Sequence, residues 1–165
     1  MLLAPRRNGK TTIIKSFIQL LLERHRVDIV RVFSETALVT EAFAFLPAGC
    51  VENFGAEGIG AIIERQKELK KRAPHVLVVV DDVLGTPAAN NCAPLVELFT
   101  VGRNLNISVA VLSQSLRRVT VPVIKDNADL IGFADLANEE LRDFAQQDPG
   151  GHQERGGVFY PLHCG

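Results

Sequence analysis

The sequence predicts an α/β fold in which helices cover a mostly parallel central sheet. Apolar, β-branched segments alternate along the chain with segments of helical periodicity, which is typical of this class. Segment 75–80 is a continuous apolar run after its first residue, and segment 107–112 is similar, as expected for strands buried on both faces. With 165 residues, the chain is long enough for one domain with a substantial core.

The composition is that of a soluble globular chain, with 47% hydrophobic and 22% charged residues. No apolar run approaches the length of a membrane span, and the first residues do not form a signal peptide. The formal net charge of −1 gives no global attraction to nucleic acid, so such binding needs a local basic patch or a ring of subunits. The three cysteines lack metal-ligand spacing, and their odd number indicates a reducing, intracellular setting.

The first element is a short apolar run that enters a polar loop ending in Gly9-Lys10-Thr11, after which an apolar-periodic helix begins. This strand–loop–helix order suits a phosphate-binding loop, because the first N–H groups of a helix have no partner inside the helix. Lys10 would reach the β- and γ-phosphates of a nucleotide, and the Thr11 hydroxyl would bind Mg²⁺. The alternative is an ordinary helix start with Asn8 as N-cap, which Ala4 favours because the loop pattern has glycine there.

The other elements follow from periodicity and from chain breakers. Strands are predicted at 28–33, 75–80, 107–112, 130–133 and 158–160, with a further short strand within 49–55. Helices are predicted at 37–47, 57–71, 94–100, 122–127 and 138–147. Segment 83–91 is predicted to be a loop because it contains Gly85, Pro87, Asn90 and Asn91.

Two basic segments are candidates for contact with a polyanion. Between Glu64 and Arg72 the chain has five basic and two acidic residues, and Arg117 and Arg118 follow the strand at 107–112. A solvated helix face is the simpler explanation of the first segment, because lysines near a helix C-terminus suit its dipole. Plain solvent exposure is the corresponding explanation of the arginine pair.

Polar side chains stand where two apolar strands end, with Asp81-Asp82 after one and Gln114 after the other. In a parallel sheet these ends lie on the same edge as the loop around Lys10. Nucleotide hydrolysis needs such a set. Asp81 would hold Mg²⁺ directly or through water, Asp82 would orient or deprotonate the attacking water, and Gln114 would sense the γ-phosphate or help to place that water. The sequence therefore predicts a nucleotide-hydrolysing site at this edge of the sheet.

The same segments carry a family resemblance. Val-Val-Val-Asp-Asp at 78–82, followed by Leu-Phe-Thr-Val-Gly-Arg-Asn-Leu-Asn-Ile-Ser-Val-Ala-Val-Leu-Ser-Gln-Ser at 98–115, resembles the poxvirus-type genome-packaging ATPases of the FtsK/HerA superfamily. Segment 123–131 is similar to the stretch that leads into the next strand of that family. The resemblance implies a three-layer P-loop NTPase fold of the RecA/ASCE-like type. We expect one ATPase domain over residues 1–165 and leave open whether it lacks N-terminal and C-terminal extensions of the family.

The resemblance also implies a function and partners. It implies an ATPase, dependent on ATP and Mg²⁺, that assembles as a homo-oligomeric ring and drives double-stranded DNA into a preformed capsid. Because contacts to phosphates carry no sequence information, the motor would be indifferent to DNA sequence. A capsid or portal protein is the implied docking partner. The implied location is the host cytoplasm or a virus assembly site, with association with the virion as a further expectation.

By the same resemblance, Asp82 takes the place of the catalytic carboxylate and Gln114 that of the sensor glutamine. Arg103 is the candidate arginine finger, which would reach the nucleotide of a neighbouring subunit. The alternative for Arg103 is an arginine in a surface turn or one paired with a carboxylate. The nucleotide-binding loop is predicted to use Arg6, Arg7, Asn8, Gly9, Lys10, Thr11 and Thr12, and the metal ligands are predicted to be Thr11 and Asp81.

Three other functions stay open on the sequence alone. A nucleotide-dependent switch or assembly protein would use the same site without motor activity. Terminase large subunits have a loop similar to segment 5–11, but they normally carry a nuclease domain, and no acidic nuclease cluster follows here. A degenerate core that only binds a capsid partner would fit Ala4 and the short first strand. The intact residues that argue against it are Lys10, Thr11, Asp81 and Asp82.

Overall fold

The computed structural model describes residues 1–3, 9–36, 39, 41–114, 122–130 and 132–133. Its six-stranded sheet consists of β1 (Leu2–Leu3), β2 (Ile29–Ser34), β3 (Val51–Glu52), β4 (Val76–Asp81), β5 (Ile107–Ser113) and β6 (Gly132–Phe133). The strands lie in the order β3–β2–β4–β5–β1–β6, and every pair of neighbours is parallel. The predicted α/β class with a mostly parallel sheet is therefore confirmed.

Helices connect most of the consecutive strands, as is typical of parallel pairing. They are α1 (Lys10–Glu23), α2 (Ala56–Leu69), α3 (Pro87–Asn90), α4 (Ala93–Val101) and α5 (Pro122–Asp126). Short 3-10 helices at Lys70–Arg72 and Gly102–Leu105 continue α2 and α4. None of the helices in the described ranges is both long and apolar enough to cross a bilayer.

The central strand β4 explains the layering, because all six of its residues are buried. Side chains alternate between the two faces of a strand, and accordingly Val78 and Val80 pack in one core and Leu77 and Val79 in the other. The first core includes apolar residues of α2, α4 and α5, and the second includes those of α1. The sheet is thus covered on both faces, which gives the predicted three layers.

Helix α2 is fixed against the sheet by a stripe at helical spacing, formed by Ile59, Ile63 and Gln66. Gln66 is 2% exposed, and its side-chain Nε2 donates to the carbonyls of Pro74 at 2.7 Å and Leu105 at 3.0 Å. These carbonyls come shortly before β4 and β5. The buried amide therefore has acceptors for its donors and ties together the chain segments that enter the two central strands.

Two predicted elements differ from the structure. The helix predicted at 37–47 is wrong for residues 41–45, which form turns, and their apolar pattern reflects the burial of Phe43 and Leu46 in the core. The loop predicted at 83–91 contains α3, because Thr86 Oγ1 accepts from the Ala89 N–H at 3.3 Å and a proline takes the first helical position.

The predicted helix at 138–147 and strand at 158–160 lie outside the described residues. The other predicted strands and helices are present, with ends that shift by at most two residues. The short strand expected within 49–55 is β3. Elements with strong apolar periodicity were therefore predictable, whereas the two errors concern short segments in which local capping or burial decides the structure.

Candidate nucleotide-binding site

The register of the sheet brings the polar strand ends to one edge. Ser34, the last residue of β2, is level with Asp81 of β4, and Asp81 is level with Leu112 of β5. The last residue of β1 is level with Ser113. The loop after β1 therefore leaves the sheet at the same carboxyl edge at which β4 and β5 end. Ligands of open α/β sheets bind at this edge.

Helix α1 begins directly after the loop, with Gly9 as its N-cap. Gly9 has a φ of 74°, a left-handed conformation that glycine adopts without steric cost, and its carbonyl accepts from the Ile13 N–H at 2.9 Å. The other explanation of this segment was an ordinary helix start with Asn8 as the N-cap. The helix begins one residue later than that explanation requires, because its N-cap is Gly9. Because the first turn of α1 contains no acidic residue, no side chain of that turn repels an anion at the helix N-terminus.

Lys10 is unusual because its side chain is almost fully buried, at 6% exposure. Thr11 beside it is half-buried, and Thr12 is exposed. Lysine is seldom buried without a nearby opposite charge. Asp81 supplies such a charge, since the Lys10 ammonium acts to lower the pKa of this carboxyl. The predicted phosphate-binding lysine and the predicted metal-binding aspartate are therefore brought together.

Asp81 lies in an environment that disfavours its ionised form. Burial first, and the charge of Asp82 second, raise the pKa of Asp81 from 3.8 to about 6. Lys10 and a 3.5 Å hydrogen bond from the Ser34 Oγ oppose this increase without cancelling it. An additional cation next to the carboxylate would relieve the cost of its ionisation. The site is thus electrostatically suited to a metal ion.

Asp82 is held by contacts with the neighbouring strand β5. Its backbone N–H donates to the Leu112 carbonyl at 3.0 Å, and the Gln114 Nε2 donates to Asp82 Oδ2 at 2.7 Å. Asp82 Oδ1 is buried and has no hydrogen-bond partner among the described residues. The backbone φ of Asp82 is 54°, which is uncommon outside glycine. Backbone strain and an unsatisfied buried oxygen at a strand end are features that cluster at functional sites.

The oxygen atoms at this edge fit Mg²⁺ bound together with a nucleotide. Mg²⁺ usually takes one or two protein oxygens and completes its shell with phosphates and water. The described ranges contain no group of three His, Cys, Asp or Glu residues that could hold a metal without such help. Asp81 is the carboxylate at this edge that would hold such an ion, with Thr11 as the second predicted ligand at the start of α1.

Arg103 lies at the opposite edge of the sheet. It belongs to the 3-10 helix that precedes β5, and the first residue of β5 is level with Val76, the first residue of β4. The Arg103 guanidinium donates to Asp129 Oδ1 at 2.5 Å, in a pair whose side chains are 79% and 80% exposed. Arg103 therefore has a carboxylate partner, Asp129, as the alternative explanation of an arginine paired with a carboxylate predicts. The structure does not bring Arg103 to Lys10 and Asp82 of its own chain.

A comparison with known protein families shows to which family the chain is related. Residues 56–138, just over half of the chain, match the family described as "Poxvirus A32 protein". The chain belongs to the poxvirus A32 protein family. The match spans β4 and β5 and therefore contains Asp81, Asp82, Arg103 and Gln114. It confirms the predicted resemblance to poxvirus-type packaging ATPases. No curated protein sequence matches the chain.

Solved structures support the fold of this A32-family chain. The genome packaging NTPase B204 from Sulfolobus turreted icosahedral virus 2 in complex with ATP-gammaS matches with a TM-score of 0.64 and 17% identity, covering 88% of this chain and 78% of that chain. The complex of the same protein with AMPPCP matches with a TM-score of 0.61 and 16% identity, covering 88% of this chain and 79% of that chain. The DNA-packaging ATPase B204 from Sulfolobus turreted icosahedral virus matches with a TM-score of 0.60 and 15% identity, covering 88% of this chain and 79% of that chain. At these identities the likeness concerns the fold.

Ser34 is a site residue of this A32-family chain that sequence reasoning missed. It is fully buried, it contacts Asp81, and its Oγ also accepts from the Thr36 N–H at 3.3 Å. The signal was present in the sequence, because Ser34 directly follows the apolar strand predicted at 28–33. What the sequence lacked was the adjacency of β2 and β4.

Several predicted residues lie outside the described part of the chain. These are Arg6, Arg7 and Asn8 of the nucleotide-binding loop, and Arg117 and Arg118, the candidate DNA contacts.

Proposed function

We propose that this A32-family chain is an ATP-hydrolysing motor that moves double-stranded DNA into a viral capsid. The observation on which the proposal rests is the 2.7 Å contact between Gln114 and Asp82, next to Lys10 and Asp81 at the carboxyl edge. A carboxylate oriented by an amide beside a phosphate loop is suited to activating a water for attack on the γ-phosphate. The B204 structures of similar fold hold ATP analogues, which supports ATP as the nucleotide.

Each residue of the site has a distinct role in this proposal. The buried Lys10 ammonium neutralises the β- and γ-phosphates, and its burial strengthens that attraction by limiting screening. Asp81 and Thr11 hold Mg²⁺, which supplies further neutralisation of the phosphate charge. Asp82 accepts a proton from the attacking water. Gln114 holds Asp82 Oδ2 so that the other carboxylate oxygen stays available.

The remaining partners are part of the same proposal. Arg103 lies at the edge of the sheet opposite to the site of its own chain. A homo-oligomeric ring would instead let Arg103 reach the nucleotide of a neighbouring subunit. The ring would dock on a capsid or portal protein at the site of virus assembly. The single P-loop domain over residues 1–165 would supply the motor activity in each subunit.

The test is a measurement of ATP turnover with and without Mg²⁺ and linear duplex DNA, on protein whose oligomeric state is determined by light scattering. We expect hydrolysis that requires Mg²⁺ and that duplex DNA increases in the assembled protein. If the assembled protein hydrolyses ATP at the same rate with and without DNA, the motor function is wrong and a nucleotide-dependent switch takes its place.

A Lys10→Ala variant tests the site itself. The substitution removes the buried positive charge next to Asp81, and we expect loss of detectable ATP binding in equilibrium titration as well as loss of turnover. Lys15→Ala is the matched control, because it removes a lysine from the same helix without touching the carboxyl edge. Wild-type turnover in the Lys10→Ala variant would exclude the proposed site.

A further inference from the structure

Two short turns at the amino edge of the sheet consist entirely of basic residue types. One is Arg24-His25-Arg26, after α1, and the other is Lys70-Lys71-Arg72, after α2. All six side chains are exposed. The sequence singled out the second turn as a candidate for polyanion contact, but it gave no reason to place the first turn beside it. These segments are called the basic turns below.

The structure brings the basic turns together. The backbone carbonyl of Arg26 contacts the His75 Nδ1 at 2.5 Å, and the Asp28 carboxylate accepts from the His75 N–H at 2.7 Å. His75 is three residues after Arg72, so a fully extended chain would separate the two by about 10 Å at most. The parallel pairing of β2 with β4 fixes this arrangement, because Ile29 and Val76 are level. The two turns therefore lie next to each other on one exposed surface, which also holds the Asp28 carboxylate.

The cations of this surface differ in their partners from most other described cations, although Lys15 of α1 also lacks an ion pair with a carboxylate in the described ranges. Ion pairs with carboxylates are formed by Arg31, Arg65, Lys67 and Arg103. Within the described ranges, no such pair is formed by Arg24, Arg26, Lys70, Lys71 or Arg72. The unpaired cations are thus concentrated in the basic turns, although the whole chain has a formal net charge of −1.

Helix dipoles do not account for this concentration. A helix C-terminus stabilises a nearby cation by about 0.3–1 kcal/mol, and the effect is limited to the last turn. This effect explains one basic residue after each helix. It does not explain three consecutive residues of basic type after both helices, placed side by side and without ion pairs to carboxylates in the described ranges. A cluster of cations without ion pairs is a typical feature of a surface that binds a polyanion.

We propose that the basic turns bind the phosphate backbone of double-stranded DNA, an inference that rests on the proposed function. The chemistry favours DNA over an acidic protein. Protein interfaces need apolar or aromatic anchors and are depleted in lysine, and the basic turns contain no apolar residue. Phosphate contacts need only exposed guanidinium and ammonium groups, and they carry no sequence information. The DNA contact lies at the edge of the sheet opposite to the nucleotide.

The experiment measures the binding of a short fluorescent duplex of mixed sequence by anisotropy, between about 50 and 200 mM salt. The variants are Arg24→Ala/Arg26→Ala and Lys71→Ala/Arg72→Ala. Lys70 is left unchanged because its φ of 52° makes its backbone sensitive to substitution. Lys15→Ala/Arg65→Ala is the matched control, since it removes two positive charges outside both turns.

We expect each basic-turn variant to bind the duplex about tenfold or more weakly near 0.1 M salt. The slope of log affinity against log salt is negative, and it should become shallower by about 2 because two phosphate contacts are lost. The control should keep the wild-type slope. ATP turnover without DNA should be unchanged in all variants, because the basic turns lie away from the carboxyl edge. This last measurement also reports on folding.

The outcomes separate the two proposals. If the wild-type protein has no ATP turnover, the proposed function fails regardless of DNA binding. If turnover is normal but the basic-turn variants bind DNA with the affinity and salt slope of the control, the inference about the basic turns is wrong. The same variants are also titrated with poly-glutamate, a model of an acidic protein. If the basic-turn variants lose binding to poly-glutamate and keep binding to DNA, the surface binds an acidic protein and the inference is likewise overturned.

Discussion

The Gln114 side-chain amide donates to Asp82 at 2.7 Å and so joins the end of β5 to the residue after β4. The contact uses one carboxylate oxygen and leaves the other buried, without a partner among the described residues. The structure therefore couples the predicted sensor directly to the predicted catalytic base. A change in the position of Gln114 would change the orientation of the carboxylate that we propose as the group that activates the water.

An Asp82→Asn variant should lose turnover and keep nucleotide binding. We expect a decrease in kcat on the order of 10²- to 10⁴-fold, because the amide cannot accept the proton of the attacking water. Asparagine tolerates the left-handed φ of 54° at this position, so the fold should be preserved. Steady-state kinetics and ATP titration check this prediction. An equal loss of ATP affinity and turnover would make Asp82 a binding residue instead.

A Gln114→Ala substitution should also reduce turnover, because it frees the Asp82 carboxylate to rotate. If Gln114 acts through Asp82, the double variant with Asp82→Asn should be no slower than Asp82→Asn alone, since residues that act as a unit are not additive. A double-mutant cycle on kcat measures this coupling. Independent, multiplicative losses would show that Gln114 contributes by a separate route.

The pKa of Asp81 makes stability dependent on pH. Its folded-state pKa of about 6 is above the ordinary 3.8, so the folded protein holds the proton more tightly than the unfolded chain. The free energy of unfolding should therefore decrease as the pH rises from about 4 to 6 and stay lower above that, by roughly 3 kcal/mol at most.

An Asp81→Asn variant isolates this effect. In urea denaturation with EDTA, the variant should be more stable than the wild type at pH 7.5 and should lose this advantage near pH 4. Mg²⁺ with a nonhydrolysable ATP analogue should stabilise the wild type much more than the variant, since the variant lacks the carboxylate ligand. Equal stability of both proteins at both pH values would contradict the assigned environment of Asp81.

Gly9 and Gly55 form a natural comparison for the phosphate loop. Both are helix N-caps, and an added Cβ would contact nothing within 4 Å at either position. Gly9 has a φ of 74° and Gly55 of −158°, so Gly9→Ala should cost about 1–2 kcal/mol more than Gly55→Ala in stability. Thermal or urea unfolding of the two variants measures the difference. We also expect a loss of ATP affinity in Gly9→Ala alone. Equal effects would show that the left-handed conformation is unimportant.

Arg103 can be tested by mixing subunits. If the Arg103 guanidinium acts on a neighbour's nucleotide as proposed, the Arg103→Ala variant should bind ATP normally and turn it over slowly. Mixing it with the inactive Lys10→Ala variant should restore turnover, since the second subunit supplies Arg103 to the intact site of the first. Mixed assemblies that stay inactive would instead favour a local role for Arg103 in its pair with Asp129.

The sequence predicted the layers of the fold and the edge of the sheet that carries the candidate site, for physical reasons that can be named. The apolar runs of β4 and β5 require burial on both faces, and this in turn requires helices on both sides. Asp81, Asp82 and Gln114 could be found because polar groups at the ends of buried strands are costly unless they serve a ligand.

The errors arose where tertiary contacts decide the structure. The contribution of Ser34 depends on β2 lying next to β4, and neither the order of strands nor the hydrogen bond between Gln114 and Asp82 is encoded in local periodicity. The position of Arg103 at the amino edge was within reach, because the residue precedes β5 in the chain. The rule that placed Gln114 at the carboxyl edge also excludes Arg103 from it.

The separation of Arg103 from Lys10 has a consequence for assembly. If the arginine of one subunit completes the site of another, the donating and the receiving surfaces are two different patches on opposite edges of the sheet. Each subunit then depends on another for turnover, whichever symmetry relates them. In a two-fold dimer the dependence would be mutual between the same two subunits, whereas in a head-to-tail ring each subunit would activate one neighbour and depend on another.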